Sequence, residues 1–336
     1  MRTLSVQNKW QPWKGILLQA FALALLLTVG TYIQNRFELI GVALTELLFL
    51  VLSVGYTLAQ RTPLKEVFPI KKPSVRDVFG VLFLWGGGLM FGMMSIYLMA
   101  TLMPAYFFSV LDSLNGALTG KGPVITFLIV AILAPICEES LERGAVLSHF
   151  RSLKHEWMTI VIIGLFFGIM HVDAIRFLNT FTMGCVCAYL MVKKNNFLLP
   201  VILHFVNNGF SEIVSLASGS TEEDLDAAIE LMKGFDMRIA LGGAMILYCA
   251  APFLMAVGIQ LMQDKLSKDA SADERRSRSR YLQKNYITAT VITCALLLGG
   301  AAIIVTTPNF REIYSNAYAE TYTKAAEGLL LIMSGF

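Results

Sequence analysis

The chain has 336 residues, 56% of them hydrophobic and only 15% charged, with a net charge of +3. Ordinary soluble domains carry about 25% charged residues, so this composition cannot clothe a soluble fold of this length in polar groups. A mean hydropathy of +0.63 excludes disorder, a collagen-like fibre and a coiled coil, and the small net charge gives no reason to expect nucleic acid as a partner.

A bilayer crossing takes about 20 apolar residues. The N-terminal stretch places Arg2, Lys9 and Lys14 before an apolar run from Gly15 to about Gln34. That run exceeds the roughly 7–15 residues of a signal-peptide core, and no small-residue cleavage site follows, so a retained first span is expected. Further spans are expected near 39–59, 76–100, 123–149, 156–171, 175–192, 197–217, 238–262 and 286–306. The segment Trp85–Gly92 reads as a span with a small-residue face for close helix packing. All five cysteines lie in apolar stretches without a CxxC pair and are expected to be reduced, buried residues.

Every second connection is basic. Arg61, Lys65, Lys71, Lys72 and Arg76 fall in 60–77, Arg151 and Lys154 in 150–156, Lys193 and Lys194 in the next, and seven Lys or Arg in 263–285. Between them lie the poor or acidic loops 35–38, 101–122, 172–174 and 219–236. The positive-inside rule then predicts a cytoplasmic N-terminus and an external C-terminus. The fold class expected is all-α, a polytopic membrane helical bundle of about nine transmembrane helices. Residues 1–120 supply about three of them, 121–217 a core, and 218–336 two more with a flexible basic cytoplasmic loop and an external tail. Thr321–Phe336 suits a short interfacial helix. Compact loops and the lack of sorting signals suit a bacterial plasma membrane.

Ionisable groups at bilayer depth are costly and tend to mark function. Span four carries Glu138, Glu139, Glu142 and Arg143. Glu139 and Arg143 are four apart and share a helix face, while Glu138 lies about 100° around from Glu139. One acid can therefore be neutralised structurally while the other faces a cavity. Span five ends on His171, and span seven carries His204 and Asn208, again four apart. At 1.5 Å per residue, Glu138, His171 and His204 fall roughly 12–21 Å from the cytoplasmic ends of their spans and can meet. A carboxylate with two imidazoles suits water activation, with Glu138 taking the proton and one histidine orienting the water. His204 and Asn208 suit an oxyanion. The same Glu138, His171 and His204 would also make a catalytic-type ligand set for a divalent metal such as zinc. The absence of a paired-histidine zinc motif and the His204/Asn208 spacing tilt the reading toward a metal-free site.

At these residues the chain resembles the CAAX-protease and bacteriocin-processing family of intramembrane proteases, which includes the type II prenyl-protein endopeptidases, the Ras-converting enzymes. The family pattern E-E-x-x-x-R, F-x-x-x-H and H-x-x-x-N is matched by Glu138-Glu139…Arg143, Phe167…His171 and His204…Asn208. The resemblance implies peptide-bond hydrolysis at the membrane, a protease core over 121–217 and a cavity open to the cytoplasmic side. It implies that Glu138 and His171 activate the water, that His204 and Asn208 stabilise the oxyanion, and that Glu139 and Arg143 support them; Phe167 is expected to be packing. The partners implied are a membrane-associated protein or peptide and the lipid bilayer. Two other readings compete: a transporter or proton-coupled carrier, for which buried Glu, His and Asn are equally suitable, and a protease-like immunity or scaffold protein without catalysis.

Overall fold

The computed structural model describes residues 10–103, 105–107, 109–110, 122–218, 236–263 and 271–308. Every regular element among them is helical. Six helical stretches are long and apolar enough to cross a membrane: Pro12–Ala59, Val75–Leu102, Pro123–Val146, Ala174–Lys194, Met237–Met262 and Ala272–Thr306. Two shorter apolar helices, Glu156–Met170 and Leu198–Val214, accompany them. The chain is a polytopic helical membrane protein. Among the described residues six lengths, rather than nine, are long and apolar enough for a full crossing.

The first stretch explains part of the difference. Helix α1 (Pro12–Leu25) passes through a π-helical segment, Leu26–Gly30, into α2 (Thr31–Ala59). Inside α2, Glu38 takes φ 50° and ψ −124°, and the chain reverses there. A methyl group on Gly41 would sit 2.4 Å from the Ile33 carbonyl oxygen, and one on Gly30 would sit 3.1 Å from the Thr45 side chain. Such contacts join residues a straight helix would hold far apart. The stretch is an antiparallel hairpin, and only glycine fits at position 41.

A short helix, α3 (Leu64–Val67), leads to α4 (Val75–Leu102), whose start is fixed by a capping box between Ser74 and Asp77. The next stretch runs through α5 (Pro123–Phe127), a π-helical segment Leu128–Leu133, α6 (Ala134–Glu139) and a second π-helical segment Ser140–Val146. Then follow α7 (Glu156–Met170), α8 (Ala174–Lys194) and α9 (Leu198–Ser218). The chain continues with α10 (Met237–Tyr248), α11 (Ala251–Met262) and α12 (Ala272–Thr306).

The expected small-residue face on α4 is used: Gly87 lies against Met255, Gly88 against Met183 and Gly92 against Asn179. Lipid offers no hydrophobic drive between helices, so close approach and dispersion hold them together. Helices α7 and α8 approach most closely where Gly164 faces Gly184; a methyl group on Gly184 would lie 2.9 Å from the Gly164 Cα. The outer faces carry exposed Leu17 and Phe21 on α1 and Val291, Leu298 and Val305 on α12, which is the surface a bilayer solvates.

Two expectations need correction. The basic segment 263–285 is not a flexible linker throughout, because Ala272 onward is continuous with α12 and a Ser271–Glu274 capping box starts the helix. The cysteines are free, but Cys294 is exposed and Cys185 and Cys249 are half-buried. The acidic residues of 219–235 and the segment Thr321–Phe336 lie outside the described residues.

The basic connections gather on one face. Phe197 N–H donates to the Pro69 carbonyl at 2.7 Å, and Asn196 exchanges hydrogen bonds with the Lys71 backbone at 2.9 and 3.1 Å. Lys194 pairs with Asp77 at 3.0 Å, Arg151 donates to the Glu66 carbonyl at 2.8 Å, and Arg76 to the Gln260 carbonyl at 2.7 Å. The Trp10 ring packs edge-on to His149, with centroids 5.4 Å apart. The beginning of the described chain and all four basic connections therefore share one end of the bundle. The Glu38 reversal and the 171–173 link lie at the other end.

Candidate active site

Pro135, at the start of α6, lacks an N–H and disturbs the helical ladder around it, and π-helical segments flank α6 on both sides. Such segments often accompany functional sites. Adjacent positions on α6 then part company as the spacing predicts. The Glu139 side chain is fully buried, while that of Glu138 is 21% exposed.

Glu139 is committed to structure. Its Oε1 pairs with Arg143 Nη1 at 3.0 Å and accepts from His204 Nδ1, also at 3.0 Å. Arg143, itself without exposed surface, donates through Nη2 to the Gly184 carbonyl at 3.0 Å and lies 4.4 Å from the Phe167 ring centroid. The pair is only partly satisfied, because Glu139 Oε2 and Arg143 Nε are buried without a hydrogen-bond partner. Because Nδ1 of His204 donates to Glu139, the tautomer is set and Nε2 turns toward Glu138, 3.9 Å from its Oε2.

His171 closes α7. Its Nδ1 donates to the Phe167 carbonyl at 2.9 Å, which again leaves Nε2 for the cavity. Phe167 is more than filler. Its ring packs edge-on to His171 at 4.8 Å and to His204 at 5.6 Å, and meets Arg143 on its face. One aromatic ring therefore sets the positions of three polar side chains. After His171 the chain takes φ 51° at Val172, a left-handed conformation that a β-branched residue adopts only under constraint.

Glu138 and His171 line a cavity of about 350 Å³ with Glu46, Glu142 and Arg176, a size within the range of ligand sites. Asn208 is placed differently. Its amide donates to the Val130 carbonyl at 2.9 Å, inside the π-helical segment before α6. It ties α9 to the Glu138 helix and is not among the cavity-lining residues.

Two residues of this wall were not singled out in the sequence, Glu46 and Gln19. Glu46 on α2 is 7% exposed and stands within hydrogen-bonding range of Glu138, and its Oε2 has no partner. Glu142 is buried and accepts from Gln19 at 2.8 Å, which fastens α1 to the same wall. A carboxylate inside the apolar run 39–59 was the available signal for Glu46. Among the described residues no group of three or more His, Cys, Asp or Glu side chains is gathered closely enough to hold a metal ion.

The chain is thus a multi-pass helical bundle with a carboxylate–imidazole cluster at bilayer depth, an arrangement that tends to mark functional sites in membrane proteins. Residues 120–210, about a quarter of the chain, match the profile of the family described as Type II CAAX prenyl endopeptidase Rce1-like. All three motifs lie inside the match. The chain is also similar to an uncharacterized 24.3 kDa protein of Escherichia coli, 33% identical over 86 residues. That stretch is 24% of this chain and 40% of the relative, so the chain spans less than half of the relative's length. No solved structure matches.

Proposed function

We propose that the protein is an intramembrane endopeptidase that hydrolyses peptide bonds of membrane-associated proteins or peptides with water activated by Glu138. The single observation that carries this reading is the division of labour on α6. Glu139 is consumed by Arg143 and His204, which leaves Glu138 in a cavity beside two imidazoles with orientated Nε2 atoms.

In the proposed reaction Glu138 takes a proton from water and His171 Nε2 orients that water. The water oxygen attacks the carbonyl carbon. The oxyanion that forms is stabilised by the second amide hydrogen of Asn208 once substrate draws it away from Val130, and by His204 Nε2 when that imidazole carries a proton on both nitrogens. The C–N bond then breaks, and Glu138 passes its proton to the leaving amine. Asn208 is assigned on the family pattern, and its role requires that movement. In the competing reading Glu138, His171 and His204 would have to draw together as ligands of a zinc ion, which would supply the activated water.

The proposal includes nine crossings: the Glu38 hairpin counts as two, and the two shorter apolar helices complete the bundle. It also includes the cytoplasmic placement of the basic face.

The test is product analysis. Purified protein incubated with a peptide panel in ¹⁸O-labelled water is expected to yield a new amine terminus and a new carboxyl terminus carrying the label. Reconstituted protein that moves solutes or protons across a vesicle wall, and cleaves nothing, would favour the carrier reading instead.

A further inference from the structure

The wall of the Glu138 cavity carries more acid than the hydrolytic scheme uses. Besides Glu138 it is lined by Glu46 from α2 and by Glu142 from the π-helical segment after α6. Neither is a fixed position of the three motifs, and Glu46 lies outside the matched residues 120–210. Both side chains are buried, and each keeps one carboxyl oxygen, Oε2, without a hydrogen-bond partner. The other oxygen of Glu142 accepts from Gln19, and Glu46 stands within hydrogen-bonding range of Glu138. A buried carboxyl with an unmet oxygen is costly until something completes it.

The two arginines at this site are already engaged. Arg143, next to Glu142 in sequence, is taken by Glu139 and the Gly184 carbonyl, and Arg176, which also lines the cavity, is held by Asp173 at 2.6 Å. Three carboxyls at close quarters repel one another, and a single cation placed among them turns that repulsion into attraction. Among the described residues no group of three such side chains is gathered closely enough to hold a metal ion, which favours an organic cation over a small inorganic one. Much of the remaining lining is apolar, from half-exposed Leu27 to buried Phe49 and Leu141. An aliphatic stem with a charged head fits such a wall, the stem on the apolar residues and the head on the carboxyls.

We propose that Glu46 and Glu142 form a subsite for a basic side chain, so that the substrate is a polypeptide segment with a lysine or arginine close to the bond that is cut. The two carboxyls hold the ammonium or guanidinium and leave Glu138 to the water. A cation that draws Glu46 to itself also takes it away from Glu138, so a basic substrate completes the catalytic arrangement as it binds. The cleavage half of this inference rests on the hydrolase reading above; the cation subsite does not.

Two measurements separate them. In the first, the purified full chain is offered pairs of quenched peptides that differ at one position, lysine against norleucine, an uncharged side chain of similar length, with that position scanned along the peptide. The unaltered protein is expected to cleave at least one lysine peptide with kcat/KM at least about 10-fold above that of its norleucine partner. The ratio is expected to fall toward one in Glu46→Gln and in Glu142→Gln. Glutamine keeps the size of the side chain and, at position 142, the acceptor for Gln19. The ratio is taken within one preparation, so a smaller folded fraction does not alter it. Equal cleavage of both partners at every position would overturn the proposal, as would a lysine preference that survives both substitutions. In the second measurement, fluorescent forms of the same peptides are titrated onto Glu138→Gln, with and without Glu46→Gln, so that binding is read without turnover. Tighter binding of a lysine peptide, lost with Glu46→Gln, is expected, and equal binding of both partners throughout would refute the subsite. That binding preference, with no cleavage of any peptide by the unaltered protein, would support the subsite and sink the hydrolase reading.

Discussion

Glu138 and Glu139 are neighbours in sequence with opposite fates, and the difference was legible from spacing alone. Glu139 stands four residues before Arg143, which makes a pair on one face, and Glu138 falls on another. What spacing cannot supply is the third partner. His204 joins Glu139 across 65 positions of sequence, a contact that only the packing of α9 on α6 creates. The same holds for Phe167, expected as packing and found between two imidazoles and a guanidinium. Glu46 was legible as a charge in an apolar run, but its destination beside Glu138 depends on the hairpin. If Glu139 anchors this cluster, Glu139→Ala leaves a buried cation unpaired and is expected to cost about 3–5 kcal/mol. Thermal unfolding of the purified variant should show a marked loss of stability together with lost activity. A variant as stable and active as the unaltered protein would remove Glu139 from the scheme.

At the scale of elements, the sequence located the apolar runs and mis-stated their ends. Spans near 15–34 and 39–59 were separable because a polar stretch divides them, yet the reversal is so tight that helix is continuous in hydrogen bonding on both sides of Glu38. The basic stretch before 286 looked like a linker because of its charge, whereas its residues are good helix formers behind a capping serine. The small residues of α7 and α8 were not singled out, since glycine in an apolar run carries no signal of its partner. They matter because α7 carries His171 on its end. In Gly164→Leu the first side-chain carbon would meet Cys185 Sγ at 2.3 Å and the Phe181 carbonyl at 2.9 Å. The two helices must separate, at a cost of about 1–3 kcal/mol or more. Melting temperature and peptide turnover should fall together, while Gly55→Leu, at a position with open space, should leave both unchanged. Equal tolerance at both positions would contradict the packing described.

For the whole molecule, the alternation of basic and poor loops was the most informative pattern, and the gathering of every basic connection on one face agrees with it. That face also carries a titratable group outside the spans. His149 is 1% exposed, bonds Tyr56 through Nε2 at 2.9 Å, and has a buried Nδ1 without a partner. Burial, helped by the nearby Lys14 charge, pushes its pKa down to about 4. The folded chain therefore binds this proton less readily than the unfolded chain does. The contribution is fully present above about pH 6.5 and is lost as pH falls toward 4, amounting to at most about 3 kcal/mol. Melting curves between pH 4.5 and 7.5 should show this acid loss in the unaltered protein and a smaller one in His149→Gln. An identical pH dependence in both would exclude His149 as its source.

The central claim is that Glu138 activates water without help from a metal. The measurement closest to it is peptide turnover by purified, chelator-treated enzyme, compared with Glu138→Gln prepared in the same way. The account predicts that the unaltered enzyme stays active after chelation with well under one zinc per chain, and that Glu138→Gln folds normally and loses at least about 10²-fold in turnover. Full turnover by Glu138→Gln would contradict it. So would activity that disappears with a stoichiometric metal and returns when zinc is restored.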